Sequence, residues 1–263
     1  DSQKKLQKKY EKLLESHGDA KTEWEAAIKT AEDETRLINE ELELVLAQAQ
    51  EEGLVRQGKA LREQLDDQLN TAFVWSLNDV ALLKMSEGKL DEAEELFRRA
   101  LVILDQTTGR STLASATLLQ HLGEVAAAQN NLTASASFYK EAVGLFEDQL
   151  GNTHPRTAAA LNGWARVEAA LGNILQAEEL YRQAIQIYEE SGSRGSDDLV
   201  APLHNLGVLM LNQGDLAQAG PLLVRAGVLV EDDPEESSGR ALIVLRSLTK
   251  FYQATGNMET AAE

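Results

Sequence analysis

The four histidines are the side chains of this chain best suited to acid–base or metal chemistry, because the sequence contains no cysteine. They lie far apart, at His17, His121, His154 and His204. None has the H-x-x-x-H or H-E-x-x-H spacing that places two metal ligands on one face of a helix. The histidines therefore predict no metal site, and His17 and His154 are expected to have structural roles.

Sequence motifs for nucleotide binding and acyl transfer are also lacking. There is no G-x-S-x-G, no Walker loop and no dinucleotide-binding fingerprint. The glycine-containing run at residues 192–196 lacks the lysine of a phosphate loop, and we interpret it as a linker. Paired carboxylates such as Glu94 with Glu95 and Glu178 with Glu179 are expected to be solvated on exposed helix faces. The sequence predicts no catalysis and no cofactor.

Composition narrows the classes of partner. The 263 residues carry 25 Lys and Arg against 43 Asp and Glu, a net charge of −18. Such a chain repels nucleic-acid backbones and anionic membranes, so we expect neither as a general partner. Apolar stretches such as residues 201–211 are shorter than the roughly 20 residues of a membrane span. We expect a soluble intracellular protein of unspecified compartment, and, from its start at Asp1, a piece of a longer chain.

A repeat of 42 residues organises most of the sequence. Five turn-like tripeptides have the same spacing: they begin at Gly88, Asn130, Gly172, Gly214 and Gly256. Between them, apolar residues recur with the period of an amphipathic helix. Each unit therefore predicts two helices joined by a tight turn, and the fifth unit is expected to be truncated.

Columns of equivalent residues indicate how the units pack. Small residues occupy one column and bulky residues others, which marks close helix contacts and packing between hairpins. The small column is Ala81, Gly123, Ala165, Gly207 and Thr249; a leucine column is Leu77, Leu119, Leu161, Leu203 and Leu245; an aromatic and leucine column is Phe97, Tyr139, Tyr181 and Leu223. One hairpin cannot bury such a face alone, so the units are expected to stack into a solenoid.

These residues resemble the tetratricopeptide repeat (TPR). Its pattern is matched by Asn205-Leu206-Gly207, Gly214, Ala219 and Ala226, and by Ala165, Gly172, Ala177, Tyr181 and Ala184. The usual TPR period is 34 residues, whereas the 42-residue period, Leu161-Asn-x-x-Ala165 and the linker Leu150-Gly151-x-x-His154-Pro155 are similar to the kinesin light chain subtype. Only one linker carries His-Pro, which departs from the motor-adaptor pattern. The resemblance implies an all-α fold, a right-handed α-solenoid of antiparallel hairpins over residues 71–263.

Residues 1–70 have a different texture, rich in Glu, Lys and Gln, and are predicted to form a helical extension. A heptad-like seam runs from Leu6 to Ala31, which favours a short coiled coil. Glycines at positions 18, 53 and 88 are 35 residues apart, which favours divergent hairpins. Both alternatives stay open at this point.

In a TPR solenoid the first helix of each hairpin lines the concave surface, so the columns beside Asn205 predict a partner-binding groove. Amides and imidazoles repeated along a groove suit an extended peptide, because they satisfy its backbone groups without requiring one sequence. The alternative is that they are only solvated or bonded within the hairpins. The candidate groove residues are Asn78, Asp79, Gln120, His121, Glu124, Asn162, Arg166, His204, Asn205, Arg246 and Lys250.

Acidic candidates lie in the early units and basic ones, Arg166, Arg246 and Lys250, in the later units. A partner with an acidic segment would therefore dock toward the C-terminal half. The predicted function is a non-catalytic protein-interaction scaffold or adaptor within a larger complex. The alternatives are a structural or assembly-factor subunit of a large complex, possible in an organelle, and a ligand-responsive regulatory domain of a larger protein.

Overall fold

The computed structural model describes residues 55–107, 109, 111–192, 197–231 and 238–256, together with single positions 29, 33, 36, 37 and 40. Within these residues every regular element is an α-helix. The chain divides into two compact units, residues 1–110 and residues 111–263. The seam from Leu6 to Ala31 lies outside the described residues apart from position 29, so the coiled-coil and divergent-hairpin alternatives stay predictions.

The described part of the first unit contains one helical hairpin. Helix α1 (Val55–Ser86) runs without a break through residue 70, and α2 (Leu90–Thr107) packs against it. Leu77 and Phe97 meet in its core with 1% and 0% exposure. The boundary predicted between residues 70 and 71 falls inside α1, so the backbone shows no break at that point. The division into a helical extension and a repeat solenoid stays a prediction.

In the second unit, the described residues form three complete hairpins and one further helix. The helices are α3 (Leu113–Ala128), α4 (Leu132–Leu150), α5 (Pro155–Leu171), α6 (Ile174–Glu190), α7 (Asp197–Asn212), α8 (Leu216–Glu231) and α9 (Ser238–Thr255). The turns inside the hairpins fall at the predicted positions 130, 172 and 214. Their residues have φ values between +61° and +84°, the left-handed region that glycine enters without steric cost. Asn130 fills the position in the α3–α4 turn, and asparagine is the non-glycine residue that tolerates it best.

Polar caps fix the ends of these helices. Asn131 accepts a hydrogen bond from the Ala134 amide at the start of α4, and Asp215 accepts one from the Gln218 amide in α8. Each cap satisfies an amide that has no partner within its own helix. The turns recur with the repeat in all three hairpins, so their second helices begin at equivalent positions.

The predicted columns form the core. Leu119, Leu161 and Leu203 are at most 3% exposed, and the small column brings backbones together at Gly123, Ala165 and Gly207. Tyr139, Tyr181 and Leu223 are at most 2% exposed between neighbouring helices. The exception is Leu245, which is 52% exposed on α9. None of the helices in the described parts of the chain has the length and apolarity of a membrane span.

First and second helices occupy different sides of the second unit. The first helices contact one another across hairpin boundaries: α3 meets α5, α5 meets α7, and α7 meets α9. No successive pair of second helices among α4, α6 and α8 makes contacts of similar extent. The first helices therefore line the inner side of this unit, and the second helices line its outer side. The residues that the first helices expose on the inner side form a continuous surface.

Candidate functional site

This inner surface of α3, α5, α7 and α9 is called the groove below. It carries nine of the predicted site residues: Gln120, His121, Glu124, Asn162, Arg166, His204, Asn205, Arg246 and Lys250. The other two, Asn78 and Asp79, lie on α1 in the first unit. Asn78 is only 5% exposed and donates from its amide to the Asp79 carboxylate at 3.1 Å, so Asp79 is the accessible member of that pair.

Polar side chains cross from helix to helix at the centre of the groove. The amide nitrogen of Asn205 on α7 donates to Asn162 Oδ1 on α5 at 3.2 Å. His204 Nε2 lies 2.9 Å from Ser247 Oγ on α9. Both pairs are 43 residues apart, one more than the repeat, because a residue of one first helix meets the following column of the next. We call these four residues the polar ladder.

The same register is interrupted between α3 and α5. The partner expected for Gln120 by this rule is Gly163, which has no side chain. The ring of Tyr139 from α4 fills that space: a Cβ on Gly163 would lie 2.6 Å from Tyr139 Cζ, and one on Gly123 would lie 2.9 Å from the same ring. Because these two glycines have no side chains, the ring of Tyr139 on α4 can lie between α3 and α5 and approach the groove.

Tyr139 joins an electrostatic cluster at this point. Arg166 and Glu124 both lie close enough to its hydroxyl to act on it electrostatically. Burial is the main reason that the pKa of Tyr139 is raised, and the Glu124 charge adds to the effect while Arg166 opposes it. The phenol therefore stays protonated at neutral pH.

Glu124 is the acceptor at the centre of the cluster. Gln120 donates to its Oε1 at 3.1 Å, and His121 Nδ1 lies 3.4 Å from its Oε2. Burial alone would raise the pKa of Glu124, but hydrogen bonds from His121 and Gln120, together with the charges of His121 and Arg166, lower it overall. Glu124 is therefore ionised at neutral pH and already engaged by neighbours on its own helix.

The basic residues of the groove are more exposed to solvent than its neutral polar residues. Arg166, Arg246 and Lys250 are exposed, whereas Asn162, His204 and Asn205 are half-buried. Burial lowers the pKa of His204, and its bond to Asn205 only partly offsets that effect. At neutral pH the groove of α5, α7 and α9 thus offers three permanent positive charges around a neutral polar ladder.

Two features of this region were not predicted from the sequence. The first is Tyr139 beside the groove. The sequence feature that could have predicted it is the pair of glycines at positions 123 and 163, which leave room for a large ring. The second is a buried carboxylate, Glu168, which is 5% exposed and accepts from Trp164 Nε1 and Asn173 Nδ2, each at 2.7 Å. Asn173 precedes α6 but makes no side-chain cap for it.

Within the described residues no group of three or more His, Asp and Glu side chains could hold a metal ion. The groove instead presents hydrogen-bonding and cationic groups over several parallel helices. Such an arrangement suits recognition of an extended or helical polypeptide segment.

Comparison with known proteins agrees with the geometry. The profile of the MalT-like TPR region family matches residues 46–241. The crystal structure of BtubC (BKLC) from P. vanneervenii is similar over 84% of this chain and 87% of that one, with a TM-score of 0.68 and 22% identity. The structure of kinesin light chain-like, nearly identical TPR-like repeats from Podospora anserina is similar over 72% of this chain and 90% of that one, with a TM-score of 0.61 and 21% identity.

No curated protein matches the sequence. The structural likenesses, at identities near one fifth, concern the fold and confirm the predicted all-α helical repeat. The family profile covers well over half of the chain. The chain therefore belongs to the family of MalT-like TPR regions.

Proposed function

We propose that the chain is a non-catalytic scaffold that binds an acidic segment of a partner protein along the groove, toward its C-terminal half. TPR regions are in general protein-interaction scaffolds. The particular partner chemistry rests on the charge of the groove. The single observation that carries the proposal is the exposure of Arg166, Arg246 and Lys250 on neighbouring first helices.

The distribution of charge within the second unit supports this choice. Helices α5, α7 and α9 carry five Lys and Arg and three Asp and Glu, one of which is the buried Glu168. Helices α4, α6 and α8 carry three Lys and Arg and eight Asp and Glu. Among these six helices the first helices thus carry an excess of basic residues and the second helices an excess of acidic ones, so an acidic segment is attracted to the former and repelled by the latter.

The polar ladder supplies hydrogen-bonding groups for the partner, in addition to the attraction by the basic residues. Each amide and imidazole of the ladder uses one or two hydrogen bonds within the groove, and a side-chain amide can make four. The internal bonds hold the side chains in fixed orientations, which lowers the entropy lost when a partner binds. We infer that the ladder contacts the partner backbone while the three cations select acidic side chains.

The test compares two fourfold variants of the chain as bait in its source extract. One replaces Asn162, His204, Asn205 and Arg246 by alanine; the matched control replaces Glu178, Glu179, Gln183 and Gln186 on the outer side of α6. Quantitative mass spectrometry should show loss of the captured partner of at least about tenfold for the groove variant, equivalent to about 1.4 kcal/mol. Equal capture by both variants, with unchanged circular dichroism, would exclude the groove as the binding surface.

A second candidate function, a stably bound subunit of a large assembly, is favoured by one feature of α8. Its outer side carries Ala217, Pro221, Val224 and Val228, all exposed, where α6 has Leu175, Glu179, Arg182 and Gln186. Exposed apolar stripes of this kind are typical of protein contacts. Changing Val224 and Val228 to serine should release the chain from a native assembly on gel filtration if this candidate is right, and leave groove-mediated capture intact if it is wrong.

A further inference from the structure

The polar ladder contains more hydrogen-bond contacts than hydrogens to fill them. His204 Nδ1 lies 3.4 Å from Asn205 Oδ1, and His204 Nε2 lies 2.9 Å from Ser247 Oγ. Ser247 Oγ also lies 3.2 Å from the carbonyl oxygen of Ile243. Asn205 donates from its amide nitrogen to Asn162, so the atom that faces the imidazole is its carbonyl oxygen, which is an acceptor.

A count of protons follows from these contacts. The neutral imidazole has one N–H and the serine has one O–H, so two hydrogens serve three contacts. A protonated ring supplies the third and completes the network from Asn205 through His204 to Ser247. Burial works in the other direction, since it penalises the imidazolium and lowers the pKa of His204 in the free chain.

Among the described side chains, the charged groove residues of the helices packed against α7 are basic. On α5 the charged groove residue is Arg166, and on α9 the charged groove residues are Arg246 and Lys250. From α6, Tyr181 and Tyr188 are buried and protonated, and Arg225, the one charged residue among the described side chains of α8, pairs with Glu189. The negative charge that would stabilise an imidazolium must therefore come from the ligand.

We propose that binding of an acidic segment in the groove is coupled to protonation of His204, so that the affinity for the partner increases as the pH falls through the weakly acidic range. This inference rests on the function proposed above and adds its regulation. His204 acts as a positioning residue: once protonated, it donates to both Asn205 and Ser247 and fixes the ladder against α9, while the partner carboxylates screen its charge.

The experiment uses the whole chain and a rhodamine-labelled peptide of alternating glutamate and alanine, with a glutamine–alanine peptide as the neutral control. Binding is measured by anisotropy at about pH 6 and about pH 8, on either side of the ordinary histidine pKa. Calorimetry in two buffers of different ionisation enthalpy measures the protons taken up. The variants are His204→Gln and His154→Asn, which removes a histidine at the N-cap of α5 while keeping a residue suited to that cap.

We expect the glutamate peptide to bind up to about tenfold more tightly at the lower pH for each unit by which binding raises the pKa of His204, with proton uptake. His154→Asn should keep this dependence and His204→Gln should lose it. Binding that is equally pH-dependent in His204→Gln would overturn the inference and leave the proposed function standing. Absence of glutamate-peptide binding at both pH values would overturn the acidic-segment function itself, and the inference with it.

Discussion

At Gly163 the ring of Tyr139 occupies the space that a Cβ would need, since a Cβ on this residue would lie 2.6 Å from Tyr139 Cζ. Gly163→Ala should therefore force the ring or the α5 backbone to shift and lower the free energy of unfolding by about 1–3 kcal/mol. Gly144, inside α4 with open space around a built Cβ, is the matched control, and Gly144→Ala should stabilise by up to about 1 kcal/mol. Urea unfolding of both variants measures the difference; equal stability would refute this packing.

Glu168 offers one carboxylate oxygen to Trp164 and the other to Asn173. Glu168→Gln replaces one acceptor by a donor facing a donor, so we expect a loss of about 1–3 kcal/mol in the free energy of unfolding. Glu179→Gln, an exposed change on α6, should stay within about 0.5 kcal/mol. Thermal unfolding followed by circular dichroism compares them, and a Glu168→Gln variant as stable as the control would show that these bonds contribute nothing net.

The individual groove residues could be located from the sequence more readily than their contacts. Repeat columns placed Asn162, His204 and Asn205 on neighbouring first helices, because a column is a property of spacing alone. Their pairing across a step of 43 residues depends on the lateral shift between helices, which spacing does not encode. Tyr139 was predicted as core and its approach to Arg166 was not, since that contact requires the exact depth at which two helices pack.

At the scale of whole helices, the leucine column gives a matched pair of positions. Leu203 on α7 is fully buried, whereas Leu245, its equivalent on α9, is 52% exposed. Leu203→Ala should lower the free energy of unfolding by about 2–5 kcal/mol, because it leaves a cavity. Leu245→Ala should cost less than about 1 kcal/mol. Equal losses in chemical denaturation would mean that Leu245 is covered in solution.

Helix number, order and turns in the second unit followed from periodicity, since each turn required a residue that tolerates positive φ and each helix an apolar face. Helix α1 is the contrasting case. Its 32 residues begin well before the recognisable repeat, and no repeat pattern in residues 55–70 predicts a single continuous helix. Helix continuity there depends on the absence of a breaker and not on any pattern.

For the whole molecule, buried tyrosines predict loss of stability at alkaline pH. Burial raises the pKa of Tyr181 and of Tyr188 to about 12, whereas an unfolded tyrosine ionises near 10. Above about pH 10 the unfolded state releases protons that the native state keeps, so the free energy of unfolding falls between these values by about 1.4 kcal/mol per pH unit for each residue. Below pH 10 these groups have no such effect.

Tyr188→Phe isolates one of these contributions. The variant should lose less stability than the parent chain between about pH 10 and about pH 12, because one ionisable group no longer favours the unfolded state. Denaturant unfolding at several alkaline pH values, with tyrosinate absorbance as a second probe, measures the slope. A slope identical to that of the parent chain would show that Tyr188 ionises normally in the native protein.

The separation of charge between first and second helices is a property of the whole second unit, and the proposed binding through the groove rests on it. Crosslinking mass spectrometry of the native protein from its source tests that binding directly. Lys250 on α9 and Lys140 on α4 are both exposed and report the groove and the outer side respectively. We predict that partner crosslinks concentrate at Lys250 and join it to an acidic segment. Crosslinks concentrated at Lys140, with none at Lys250, would contradict binding through the groove.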